Sequence, residues 1–103
     1  MEHGLVELTY IGLLGPVEKG RGFVLLFPDV YGCMCEGDSV EEVMTKAAPT
    51  LTAYLVALEQ EDVAMPIPRT VNDLAEDEVW GRAMKEQKLT VVAVTVEADV
   101  TLH

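Results

Sequence analysis

The segment Phe27-Pro28-Asp29-Val30-Tyr31-Gly32-Cys33, followed at once by Glu36-Gly37-Asp38-Ser39-Val40-Glu41-Glu42, constrains the fold more than any other stretch of this chain. Pro28 has no backbone donor, so it closes the apolar run Phe23 to Phe27 instead of continuing it inside a sheet. Gly32 and Gly37 are free to take positive φ, which a tight turn needs. Ser39 and Glu42, three residues apart, have the spacing in which each side chain satisfies an orphan backbone donor of the other, and a helix is expected from Val40. Strand, turn, short strand and helix start therefore follow in one phrase. None of these residues makes an evident catalytic set, which tilts the reading toward a scaffold that binds.

The flanking sequence supplies the remaining elements. From Val6 to Leu14, polar Glu7 and Thr9 alternate with Val6, Leu8 and Tyr10 before the run turns apolar, as in a strand with one polar-facing half. Residues 15–22 are dense in Gly and Pro and predict a hairpin loop, with its turn at Gly20-Arg21-Gly22. Phe23 to Phe27 reads as a central strand covered on both faces, and Cys33 to Glu36 as a short third strand. Val40, Val43, Met44, Ala47, Leu51, Leu55 and Leu58 recur at spacings of three and four, giving a helix from Val40 to Gln60. Pro49 removes one of its hydrogen bonds, so a kink or a break into two pieces is expected there. Met65-Pro66-Ile67-Pro68 predicts an extended connection, and Asn72 is the expected cap of a second helix reaching about Lys88, weak at Gly81. Leu89 to Leu102 alternates as a final strand with Val92, Val94, Val96, Ala98, Val100 and Leu102 on one side. Its reach, on the order of 45 Å, exceeds an ordinary strand, so its tail is expected to bend, fray or pair with a second subunit.

Totals narrow the function classes. A chain of 103 residues is expected to form one domain, 1–103. Seven Lys plus Arg against eighteen Asp plus Glu give a net charge of −11, which repels phosphate backbones and attracts cationic proteins. Direct nucleic-acid binding is disfavoured, although acidity also serves plain solubility. Aromatic content of 6% argues against a base-stacking platform. No apolar run approaches a membrane span and Met1-Glu2-His3-Gly4 does not open a signal peptide, so a soluble cytoplasmic protein is expected. Cys33 and Cys35, two apart in a strand, are poorly placed for a disulfide, in keeping with a reducing compartment.

Chemical sites are hard to build from these residues. Asp29, Asp38, Glu41 and Glu42, with Glu7 and Glu97 on strands, are conceivable remnants of a two-metal nuclease, but turn and cap chemistry already accounts for Asp29, Asp38 and Glu42. Glu7 and Glu97 are expected at solvated positions. Zinc would need four ligands, and the two histidines, His3 and His103, lie at the termini. Cys33 is expected to pack as a small apolar side chain beneath the helix. No catalytic, metal-binding or cofactor-binding residue is assigned.

Tyr10, Phe27-Pro28-Asp29, Gly32-Cys33, Glu36-Gly37-Asp38-Ser39, Glu42, Ala47 and Pro66-Ile67-Pro68, in these relative places, closely resemble the signature of the HicB-like antitoxin domain, with the match strongest over residues 10–68. The resemblance implies an α+β domain of partly degraded ribonuclease H-like fold. It also implies an antitoxin that binds and silences a small basic HicA-type, messenger-RNA-cleaving toxin. We expect a mixed four-stranded sheet in the order 3-2-1-4 with the first helix on one face, and a homodimer formed through the other face or the last strand. Two departures from the family pattern stand out. The strand-like residues around Val100 leave no room for the C-terminal module with which some members bind operator DNA, so operator binding is not expected. Pro49 interrupts a usually smooth helix, and Glu61-Asp62 stands where a glycine often ends it. The alternatives are a metal-dependent nuclease and an acidic binding module whose partner is not a toxin.

Overall fold

A computed structural model of the chain describes residues 2–102, with side chains described over residues 4–98. In chain order the elements are β1 (Glu2–Pro16), β2 (Phe23–Leu26), β3 (Met34–Gly37), α1 (Val40–Gln60), α2 (Val71–Glu76), α3 (Glu78–Glu86) and β4 (Thr90–Leu102). The strands form one sheet in the order β3-β2-β1-β4, as expected. Every described pair in it is antiparallel, so the expectation of a mixed sheet is corrected. A single crossover helix after β3 would have returned β4 parallel to β1. Here α1 carries the chain back and α2 with α3 reverse it again, so β4 enters beside Leu14 and runs down to pair Leu102 with Glu2.

That pairing also answers the question of the overlong last strand. β1 begins at Glu2, earlier than its alternation signals, and supplies a partner along the whole of β4. The tail therefore pairs within the chain. The expected placement of Val100 and Leu102 on one side with Val92 to Ala98 falls outside the described side chains.

Two apolar clusters sandwich the sheet. On one face α1 lays down Val43, Ala47, Leu51 and Leu55 against Tyr10, Leu14, Leu25, Cys35, Val94 and Val96. On the other, Ile11 and Leu13 meet Leu74 of α2, with Trp80, Met84 and Leu89 packed against them. β2 accordingly faces apolar neighbours on both sides through Leu25 and Leu26, as a central strand should.

α1 has the bounds its sequence predicts, and it is a single helix with Pro49 inside it, not two pieces. Pro49 is exposed while buried positions continue on either side of it. The packing of Ala47 and Leu51 on one surface holds both halves together despite the missing amide. The helix ends without a glycine. Asp62 takes φ 58, Val63 N donates to the Leu58 carbonyl at 2.8 Å, and Asp62 N to that of Glu59 at 3.0 Å, which is the Schellman arrangement with an aspartate in the left-handed position.

The expected second helix is two. Thr70, not Asn72, is the N-cap of α2, in a full capping box with Asp73. The chain then breaks at Asp77, not at Gly81. Asp77 is extended (φ −70, ψ 135), and its Oδ1 accepts from the amides of Val79 and Trp80 to start α3. Gly81 instead permits a close crossing, since a Cβ there would lie 2.3 Å from the Ala75 carbonyl oxygen.

Candidate functional site

The signature residues fall into two groups, each holding a junction between elements. In the first, the turn after β2 is closed by three backbone bonds: Val30 N to Phe27 O, Cys33 N to Val30 O and Phe27 N to Cys33 O, all between 2.9 and 3.1 Å. Gly32 takes φ 81 within it, a conformation that disfavours any Cβ. Phe27, Val30 and Cys33 point into the α1 cluster, and Pro28 stays half-buried at the surface. Asp29 turns toward the linker that carries Pro66 and Pro68. Its Oδ1 accepts from Arg69 Nε at 2.6 Å and its Oδ2 from the Arg69 amide at 2.7 Å. The same guanidinium reaches Asp77 Oδ2 at 3.0 Å. Tyr10, fully buried, donates its hydroxyl to the Pro66 carbonyl at 2.6 Å. Its phenol is pushed above its ordinary pKa by burial first and by the Asp29 charge second.

The second group starts α1. Glu42 N donates to Ser39 Oγ at 3.1 Å, while the Glu42 carboxylate accepts from Asp38 N at 3.0 Å. The reciprocal bond thus reaches one residue beyond the cap. Glu42 also pairs with Lys46 at 3.1 Å, and Asp38's amide ahead of Lys46 holds its carboxyl below the usual range. Lys46 Nζ donates to the Glu36 carbonyl at 3.0 Å, covering the outer edge of β3. Gly37 ends that strand, and Ala47 lies buried where α1 crosses it.

No nuclease-like convergence arises. Asp29 is held by Arg69, Glu42 by its cap and Lys46, and among the described residues no group of three His, Cys, Asp or Glu could hold a metal. Glu7 and Glu97 are exposed on the face opposite α1 and lie directly across the β1–β4 pair from one another. Cys33 and Cys35 are buried free thiols, and burial pushes Cys33 up to about 11. The side chains of His3 and His103 lie outside the described residues.

Around the turn after β2, what is left at the surface is largely apolar. Of two Phe, three Tyr and one Trp, Tyr10, Phe23 and Phe27 belong to the α1 cluster. Tyr31, Tyr54 and Trp80 surround the turn after β2: Tyr31 is 99% exposed, the Tyr54 ring lies beside Gly32, and Trp80 helps line a groove of about 220 Å³ with Leu26, Pro28, Tyr31 and Met34. The sequence reading picked out neither Arg69 nor this groove. An arginine directly after Pro66-Ile67-Pro68, with an acid in the preceding turn, was the available hint for the first.

The family model described as HicB_like antitoxin of bacterial toxin-antitoxin system matches residues 10–100. The chain belongs to the HicB-like antitoxin family. Two solved structures share its fold. A chain of a HicA3 and HicB3 toxin-antitoxin complex aligns with TM-score 0.62 at 21% identity, over 86% of this chain and 95% of that one. A chain of a toxin-antitoxin complex from Streptococcus pneumoniae aligns with TM-score 0.66 at 17% identity, over 88% of this chain and 69% of that one. No curated protein matches. The family match extends past the residues that carry the signature to take in α2, α3 and most of β4. Among the described residues of this HicB-like chain, no helix is long and apolar enough to cross a membrane.

Proposed function

We propose that this HicB-like antitoxin binds a small basic HicA-type toxin and silences it by covering the face with which that toxin meets and cleaves messenger RNA. The observation that carries the reading is the family match over residues 10–100. The net charge of −11 supports it: a surface of that sign speeds encounter with a cationic protein, and its carboxylates compete with RNA phosphates for the same basic side chains. Both structural neighbours are chains of toxin-antitoxin complexes, one of HicA3 with HicB3, which favours a partner of that type. The role is occlusion, not catalysis, because Asp29 and Glu42 are spent on holding junctions.

Two features accompany this reading. Lys46 covers the β3 edge, whereas β4, the other outer strand of the sheet, offers a long edge through which a second copy can pair, giving a homodimer. Buried, unpaired Cys33 and Cys35 suit a reducing cytoplasm.

The test is co-expression with a small basic HicA-type toxin, to be sought in the reading frames beside its gene. Growth arrested by that toxin alone is restored, and the two proteins co-purify. Failure to form a complex at micromolar concentrations overturns the reading, and a monomer mass by light scattering for the free chain removes the dimer.

A further inference from the structure

We infer that the groove between the turn after β2 and α3 is the surface on which the toxin docks, seating one of its large apolar side chains between Tyr31, Met34 and Trp80. The inference rests on the antitoxin reading above and names the surface it leaves open. In a chain with so few aromatics, the three that the α1 core does not use gather around this one turn. Tyr31 at 99% exposure and Met34 at 47% contribute little to folding, so large apolar side chains in this setting point to a contact surface. Tyr, Trp and Met are the types that dominate the buried centres of protein interfaces.

Size and charge select the occupant. At about 220 Å³ the groove is below the roughly 300 Å³ at which small-molecule sites begin, and no charged residue lines it. One carboxylate stands beside it: exposed Glu36 shares the outward face of β3 with Met34, on a chain of net charge −11. An apolar centre beside an acid, on a strongly acidic chain, fits a partner that presents an apolar side chain flanked by Lys or Arg. A second copy of this chain would bring the same net negative charge against it, without the main-chain pairing that the β4 edge offers. The turn is also ordered in advance by its three backbone bonds and the Asp29–Arg69 contact, so little conformational freedom is lost when Tyr31 is covered.

The experiment measures binding of that HicA-type toxin to the full chain, unlabelled for calorimetry and with fluorotryptophan at its single Trp80 for fluorine NMR. Tyr31→Ala, at a side chain that folding barely uses, is expected to keep the melting temperature and raise Kd by about tenfold or more, and Met34→Ser to weaken binding in the same direction. The Trp80 resonance is expected to shift on complex formation. If the wild-type chain binds while Tyr31→Ala binds equally well and the Trp80 resonance stays in place, the groove is not the docking surface and the antitoxin reading stands. If the wild-type chain does not bind the toxin, both fall.

Discussion

Asp29 and Arg69, forty positions apart in the chain, close on one another through two separate donors, the guanidinium Nε at 2.6 Å and the backbone amide at 2.7 Å. The Asp29 side chain is only 7% exposed, so both of its oxygens depend on this one residue. Arg69 also reaches Asp77, whose other oxygen caps α3. One arginine thus ties the turn after β2, the proline linker and the start of α3. Replacing Arg69 by Met leaves a nearly buried carboxylate short of its guanidinium partner. With the partial exposure of Arg69 taken into account, urea denaturation is expected to show a loss of about 2 kcal/mol. Asp29→Asn, which keeps an acceptor for the amide, should lose less. Little or no loss from either variant would place the stabilisation in the amide bond, which both keep, and not in the charge.

Alkaline pH attacks a different part of the same region. Burial, with Cys35 nearby, raises Cys33 to about 11, and burial with the Asp29 charge raises Tyr10. In each case the native state holds its proton more tightly than the unfolded chain does. The stability is fully present below the unfolded pKa and is lost as pH rises through the folded one. For Cys33 the window runs from about pH 9 to about pH 11, and the loss is on the order of 2 kcal/mol. Urea midpoints measured across that range should fall for the wild type, and Cys33→Ala should flatten the lower part of the slope. An unchanged slope in that variant would assign the alkaline limb to other groups.

Where the sequence was legible, the determinants were local. Ser39, Glu42 and the spacing from Val43 to Leu55 specify α1 to its terminal residues, because cap and periodicity act within a few turns. The break at Asp77 is also written locally, but an aspartate that caps a new helix reads in sequence like any other acid near a helix start, whereas Gly81 weakens a helix wherever it stands. Thr70 with Asp73 carries the capping-box spacing as plainly as Ser39 with Glu42 does, and Asn72 beside it obscured the choice. Sheet order followed from hairpin adjacency and from the family resemblance. Strand direction did not, because it depends on how many times the chain reverses between β3 and β4. Arg69 and the Tyr31–Trp80 groove were illegible for one reason: each joins residues from separate elements that no periodicity links.

The two helix features that depart from glycine's usual use make opposite predictions. Gly81 lies inside α3, where propensity alone favours alanine by about 1 kcal/mol. A Cβ there, however, would meet the Ala75 carbonyl at 2.3 Å, and backbone does not yield as a side-chain tip does. Gly81→Ala is therefore expected to lower stability by about 1–3 kcal/mol. Asp62→Gly should do the reverse and gain about 0.5–1 kcal/mol, because the left-handed conformation at φ 58 strains an aspartate and not a glycine. Thermal melts of the two variants should move in opposite directions.

The open face of the β1–β4 pair carries a mismatch that folding does not require. Glu7 and Glu97 stand directly opposite each other, and like charges at facing positions destabilise a sheet. Their neighbours Thr9 and Thr95 make the favourable counterpart, a hydroxyl–hydroxyl bond of 2.7 Å. Glu7→Lys turns the mismatch into an opposite-charge pair and is expected to add about 0.5 kcal/mol at low salt, shrinking as ionic strength screens it. In the Glu97→Gln background the gain should shrink, since the facing charge is gone. A gain of the same size in both backgrounds would mean that it comes from reducing net negative charge over the whole molecule and not from this pair.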